Sequence, residues 1–309
     1  MDVADVKRDI DELVRLRHPL SISIAGGEPL LYPHLDEVLD HMRARGVRAI
    51  IFTNALLLDA GALRKLKQKK VALIVIHVDK HQGRDGITTE VEGNRLRQQY
   101  CELFRRVGGV SLGFIQPMSL ENLDDLDVLL PFFKENVDII DTVTFIRKQN
   151  LDLDESPEYQ VRTWNAMIER VREIYGLEYG AYLGKTHSDE ISWIFGQAVF
   201  SGKKLLGSPD KDAFRLFREK ESRRFARIRF LTHLPFNRSL RRIIVGYVAP
   251  GGWGRLNYQL IVLINPPRRL ENGVLDRCDG CPDAMLYKGK LIPSCSLEIV
   301  KKGENIEAG

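Results

Sequence analysis

The sequence is poor in cysteine, poor in net charge and without any long apolar run. Four cysteines in 309 residues cannot lace a disulfide framework. The formal charge of +4 is too small by itself to imply a nucleic-acid partner, and no nucleic-acid-binding motif is present. No stretch approaches the roughly 18 apolar residues that a membrane helix needs. The longest candidate ends in the short run Leu260 to Ile264, which reads as a strand. The opening Met1-Asp-Val-Ala-Asp5 is acidic and lacks the basic-then-apolar layout of a secretory leader. These deficits predict a cytoplasmic chain in a reducing compartment, with no nucleic acid among its partners.

What is present is a globular balance, 44% hydrophobic and 28% charged, enough for a sizeable core. Val3, Val6, Ile10, Leu13 and Val14 recur at helical spacing, and His18-Pro19 stops that helix. A strand over 20–25 runs into Gly26-Gly27-Glu28-Pro29. Pro33 opens a second helix that Gly46 closes. A strand over 49–53 meets Asn54, and Asp59 caps a third helix. An apolar strand over 71–78 ends at Asp79. A helix over 89–107, a strand over 110–115, a helix over 121–135 and a strand over 139–146 follow. Strand and helix alternate with short connections, and the strands read as apolar on both faces. This predicts α/β architecture around a parallel sheet. Gly26-Gly27-Glu28, Asn54 and Asp79 all fall at strand ends on one edge, where loops and helix N-termini of such sheets gather ligands.

Beyond residue 150 the pattern changes. Residues 157–175 and 187–200 read as helices. Residues 203–242 hold 13 Lys or Arg against 4 Asp or Glu, interleaved with Phe214, Phe217, Phe225 and Phe230. That stretch would suit an anionic or lipid-like small-molecule substrate, or a peripheral membrane contact. Residues 1–150, 151–275 and 276–309 are the predicted divisions of the chain. Three cysteines crowd the last: Cys278-x2-Cys281-x13-Cys295. A two-residue gap lets two thiolates face one metal, and a third can return over a hairpin. Zinc and an iron–sulfur cluster both suit this spacing. Cys101 reads as a core or surface thiol, and His77, inside an apolar strand, as a packed core histidine.

Individually the strand-end residues could be ordinary turns and caps. Together they resemble the radical S-adenosylmethionine (SAM) superfamily. The similarity spans about residues 3–150 and rests on Ser21-Ile-Ser-Ile-Ala-Gly-Gly-Glu-Pro-Leu30, Thr53-Asn54 and Ile76-His-Val-Asp79. The resemblance implies a partial (β/α)6 TIM-like barrel. It implies that Gly26, Gly27 and Glu28 hold the amino group of the SAM methionine, with Asn54 and Asp79 near its carboxylate or ribose. It implies reductive cleavage of SAM by a [4Fe–4S] cluster, a 5′-deoxyadenosyl radical, hydrogen abstraction from a substrate, and an electron donor such as a flavodoxin or ferredoxin. The tail Cys278, Cys281 and Cys295 is similar to the auxiliary-cluster cysteines of some members.

One departure from the family is large. Its defining Cys-x3-Cys-x2-Cys loop should precede Gly26, and the 25 residues before that glycine contain no cysteine. The family's first strand is missing with the loop. The expectation drawn here is a chain lacking its N-terminal strand and cluster loop, inactive as it stands, with an unpaired edge at residues 20–25. The alternative is a degenerate, non-catalytic binding or scaffold protein with a metal-stabilised tail. The region after 150 is expected to be a mixed, mainly helical extension.

Overall fold

Side-chain caps explain where the first helices begin. Asp2 accepts from the Ala4 N–H at 2.7 Å and starts helix α1 (Val3–Arg17), which His18 ends in the left-handed region. Strand β1 (Ser21–Ile24), helix α2 (Leu35–Ala44) and strand β2 (Arg48–Thr53) follow. Asp59 caps helix α3 (Ala60–Gln68) through the Ala62 N–H at 2.7 Å, ahead of strand β3 (Leu73–His77). A reciprocal Thr89–Glu92 capping box opens helix α4 (Glu90–Val107), and strand β4 (Ser111–Met118) succeeds it.

These assignments come from a computed structural model, which describes residues 2–148, 156–211, 238–248 and 256–301. The chain divides into two compact units: Met1–Gln116 with Cys281–Gly309, and Pro117–Gly280.

In the first unit β1, β2, β3 and β4 lie side by side in that order, and the pairs β1–β2, β2–β3 and β3–β4 are parallel. Ile51, Ile74, Ile76, Leu112 and Phe114 are buried, as are Leu39, Met42, Leu63 and Phe104 from the helices. The alternating residues Ile50, Phe52, Leu73, His77 and Ile115 are only half-buried. The strands are therefore not covered equally on both faces. The outer edge of β1 pairs with no strand among the described residues.

The second unit begins with a 3-10 turn (Leu120–Asp125) leading into helix α5 (Leu126–Glu135). The single helix expected over 121–135 is broken because Asn122 turns its side chain back to the Ser119 N–H at 2.7 Å and leaves helical geometry. Strand β5 (Ile140–Arg147), helix α6 (Pro157–Tyr175) and strands β6 (Tyr179–Gly184), β7 (Ile191–Ser201) and β8 (Lys204–Gly207) come next. Helix α7 (Arg238–Val248), strand β9 (Leu256–Ile264) and short strands β10 (Arg268–Arg269) and β11 (Leu275–Asp276) complete it. Strand β9 lies between β5, to which it is parallel, and β7, to which it is antiparallel; β6 flanks β7.

The expected mainly helical extension is thus corrected to a mixed sheet. Residues 187–200 were the misleading segment: Ser192, Ile194 and Ala198 are buried while Ile191, Trp193, Phe195 and Gln197 are half-buried, a period of two that belongs to a strand. The predicted divisions shift as well. Parallel pairing with β9 draws residues 117–147 into the second unit. The tail, a hairpin of β12 (Ala284–Tyr287) and β13 (Lys290–Pro293) followed by helix α8 (Leu297–Lys301), joins the first. Arg17 of α1 ties that tail down by donating to the Cys281 carbonyl at 2.9 Å. The basic, aromatic stretch over 203–242 lies largely outside the described residues. No described helix is long and apolar enough to cross a membrane.

Candidate cofactor-binding edge

Three loops of the first unit, leaving β1, β2 and β3, are fastened to one another at the C-terminal edge of the parallel strands. Glu28 is the first fastening. Its Oε1 accepts from the Leu30 N–H at 3.0 Å and the Thr53 hydroxyl at 2.7 Å, and its Oε2 accepts from the Asn54 N–H at 2.8 Å. The carboxylate therefore caps the 3-10 turn Pro29–Leu31 and locks it to the end of β2. A carboxylate has about four acceptor positions, so three protein donors leave little of it for a ligand ammonium.

The two glycines before it are different. Gly26 and Gly27 are exposed, adopt φ of +91° and +57°, and have open space where a Cβ would stand. Left-handed φ selects glycine here, and the open space leaves main-chain groups accessible to a bound molecule.

Asn54 is held by its own turn, its Oδ1 accepting from the Leu56 N–H at 2.9 Å. Its carbonyl accepts from Arg84 Nη2 at 2.6 Å, and the same nitrogen reaches the His77 carbonyl at 2.9 Å. Arg84 is thus the second fastening, joining the ends of β2 and β3. Its Nη1 is buried with no hydrogen-bond partner among the described residues. Nothing in the periodicity of Gly83-Arg84-Asp85-Gly86 marks this residue in advance.

Asp79 is buried. Its Oδ2 lies 2.5 Å from His77 Nε2 and its Oδ1 accepts from the His81 N–H at 2.7 Å. Burial alone would raise this carboxyl, but the His77 contact and the His81 N–H outweigh it and hold it below the ordinary carboxylate range. His77 is accordingly no packed core histidine: it is half-buried, on the same side of β3 as Leu73 and Val75, alternating with Ile74 and Ile76. Behind it, the fully buried Arg97 donates to the Val78 carbonyl and to Glu90 Oε2, while Glu90 Oε1 accepts from the Lys80 N–H at 3.0 Å. That ion pair grips the backbone on both sides of Asp79. Burial lowers the basicity of Arg97, and Glu90 counteracts it.

The edge thus gathers Gly26, Gly27, Glu28, Asn54 and Asp79. Among the described residues no group of three or more His, Cys, Asp or Glu is placed to hold a metal ion. Of the tail cysteines, Cys278 falls in the second unit and Cys281 and Cys295 in the first. Each thiol sits on its own local element. Cys278 bridges to Lys185, Cys281 is buried beside the Arg17 anchor, and Cys295 lies in a 3-10 turn after β13. Cys101 is a core residue of α4.

The fold is that of an α/β protein with a mostly parallel sheet whose strand ends β1, β2 and β3 are joined by fastened loops. No protein-family model matches the chain. Fe-coproporphyrin III synthase of Methanosarcina barkeri (strain Fusaro / DSM 804) is 34% identical over 70 residues, 23% of this chain and 17% of that protein. Among solved structures, Streptococcus suis SuiB bound to S-adenosylmethionine aligns at 18% identity with a TM-score of 0.42, over 56% of this chain and 41% of SuiB. AnSMEcpe with bound AdoMet and a peptide aligns at 15% identity and a TM-score of 0.43, over 57% of this chain and 52% of that one. The chain therefore spans about a sixth of that relative and about half or less of these structures.

Proposed function

We propose that the C-terminal edge of β1, β2 and β3 binds SAM and serves radical SAM chemistry on a small-molecule substrate. The observation that carries this is the pair of open, left-handed glycines held in place by the Glu28 brace. In this reading the exposed main chain of Gly26 and Gly27, with the remaining acceptor capacity of Glu28, receives the methionine ammonium. Asn54 and Asp79 border its carboxylate or ribose, and the orphaned Arg84 Nη1 offers a donor to an anionic or hydroxyl oxygen nearby. Bound SAM would supply, on one-electron reduction by an iron–sulfur cluster, a radical able to abstract hydrogen, and the cysteines that would hold that cluster are not found before Gly26 in this chain. An electron donor such as a flavodoxin or ferredoxin completes the scheme, and a partial (β/α)6 barrel is its proposed setting. This chain's own contribution is to orient SAM, through fastened loops that need no rearrangement on binding.

Isothermal calorimetry with SAM tests the reading. Wild-type chain should bind SAM, and Gly27→Val should abolish binding, because a β-branched side chain both strains φ of +57° and occupies the ligand's space. Equal affinity in the two proteins would overturn the assignment.

A further inference from the structure

Helix α7 (Arg238–Val248) has two unlike faces. One packs on β8. Ile243 and Gly246, one turn apart, both meet that strand: a Cβ on Gly246 would stand 3.2 Å from Leu206 Cδ2, and a Cβ on Gly207 would stand 3.5 Å from Ile243 Cγ1. Leu206 is buried under this face. The bare Gly246 lets the helix settle on β8, at the usual cost of a glycine inside a helix.

The opposite face is exposed. Val245 and Val248 are 67% and 55% accessible. By helical spacing, positions 238 and 241 fall on the same side as 245 and 248, and both are arginine; exposed Arg242 stands at the margin. A single exposed valine needs no explanation, but two of them one turn apart, in line with two arginines, form a patterned surface. Helix stability does not account for it. Three arginines in the first five residues oppose the helix dipole, which favours acids there. The helix itself contains no acidic residue to pair with them. The segment leading into it carries charge of the same sign, 13 Lys or Arg against 4 Asp or Glu over residues 203–242.

We infer that this face of α7 docks the chain on an anionic lipid surface. Such a surface supplies both chemistries side by side: phosphate oxygens for the cationic half of the face, and an apolar layer just beneath them for Val245 and Val248. A soluble polyanion satisfies only the arginines, and an uncharged apolar partner only the valines. At 11 residues the helix is too short to span a bilayer, so the attachment is peripheral and reversible. The proposed SAM edge lies in the other unit, and the two readings stand or fall separately.

Co-sedimentation of the full chain with vesicles is the test. Wild type should bind vesicles of equal parts phosphatidylglycerol and phosphatidylcholine, should not bind pure phosphatidylcholine, and should be released by high salt. Arg238→Gln with Arg241→Gln should weaken binding about 30-fold, the loss of two charges near the surface. Arg238→Lys with Arg241→Lys should retain most of the binding, because a lipid surface reads charge rather than guanidinium shape. Val245→Ser with Val248→Ser should weaken binding about tenfold or more, by removing the apolar contact. All three double variants should melt with wild type, since the four positions lie away from β8. No binding of wild type to the anionic vesicles, equal binding to both vesicle types, or undiminished binding by the valine double variant overturns the docking face. Self-association without vesicles that the valine double variant abolishes overturns it in favour of a second copy of the chain.

Discussion

Glu28→Gln tests whether the Gly-Gly turn is held by one carboxylate. The side chain keeps its size and loses its charge and one acceptor atom. Main-chain N–H groups of Leu30 and Asn54 approach opposite oxygens, Oε1 and Oε2. An amide nitrogen can accept from neither. Whichever way the glutamine amide turns, one main-chain N–H is therefore left facing a donor. The Thr53 hydroxyl can rotate to adapt, but the backbone cannot. Losing one hydrogen bond to an ionised acceptor costs about 1.5–3 kcal/mol, which corresponds to roughly 10- to 100-fold faster opening of the turn. Amide hydrogen exchange read at single residues is the direct assay. Leu30 or Asn54 should lose that much protection in Glu28→Gln, while amides in the centre of β3 keep theirs. SAM affinity should fall with it, since the glycines would no longer be pre-positioned. Unchanged exchange at both amides in a folded variant refutes the brace.

Three further outcomes follow from the same unit. Arg97→Met leaves the buried Glu90 carboxylate without its partner and should destabilise the chain by about 3–5 kcal/mol in denaturant unfolding; Arg97→Met with Glu90→Gln should recover part of that loss. Gly93→Ala places a Cβ 3.0 Å from Arg97 Nη1 and 3.2 Å from Glu90 Oε2, so it should lower the melting temperature although alanine is the better helix former. Asp79 titrates below its ordinary value in the folded chain, so its stabilising contribution is fully present above about pH 4 and fades as pH falls through the lowered value. Wild type should therefore exceed Asp79→Asn in stability at neutral pH, and the gap should close on acidification; a gap that widens below pH 4 contradicts the ionised carboxylate.

Much of the first unit was legible in the sequence because its signals are local. Asp2, Asp59 and Thr89 cap the helices that follow them, and apolar spacing marks β2 and β3. The strand-end residues Gly26, Gly27, Glu28, Asn54 and Asp79 fall on one edge as alternation of strand and helix requires. What escaped is long-range chemistry. The Glu28 carboxylate looked available to a ligand because its acceptors' partners lie 25 and 26 positions away, at Thr53 and Asn54. Arg84 bridges Asn54 and His77 from a loop with no periodic signal. In the second unit, β7 was mistaken for a helix because its buried face is interrupted by Ser192 and Gly196, blurring a period of two. The pairing of β5 with β9 leaves no local trace, since more than 100 residues separate them.

That pairing has a consequence for synthesis. Strand β9 is made last of the four principal strands yet fills the place between β5 and β7, so until the ribosome has released residue 264 both neighbours present open main-chain edges. The nascent unit must keep those edges apart for the whole interval between β5 and β9, and high sequence separation of the contacts makes closure slow. Folding of this unit therefore requires the late insertion of one strand between two made earlier. A ribosome stalled before β9 would present the two edges together, as a natural target for chaperones.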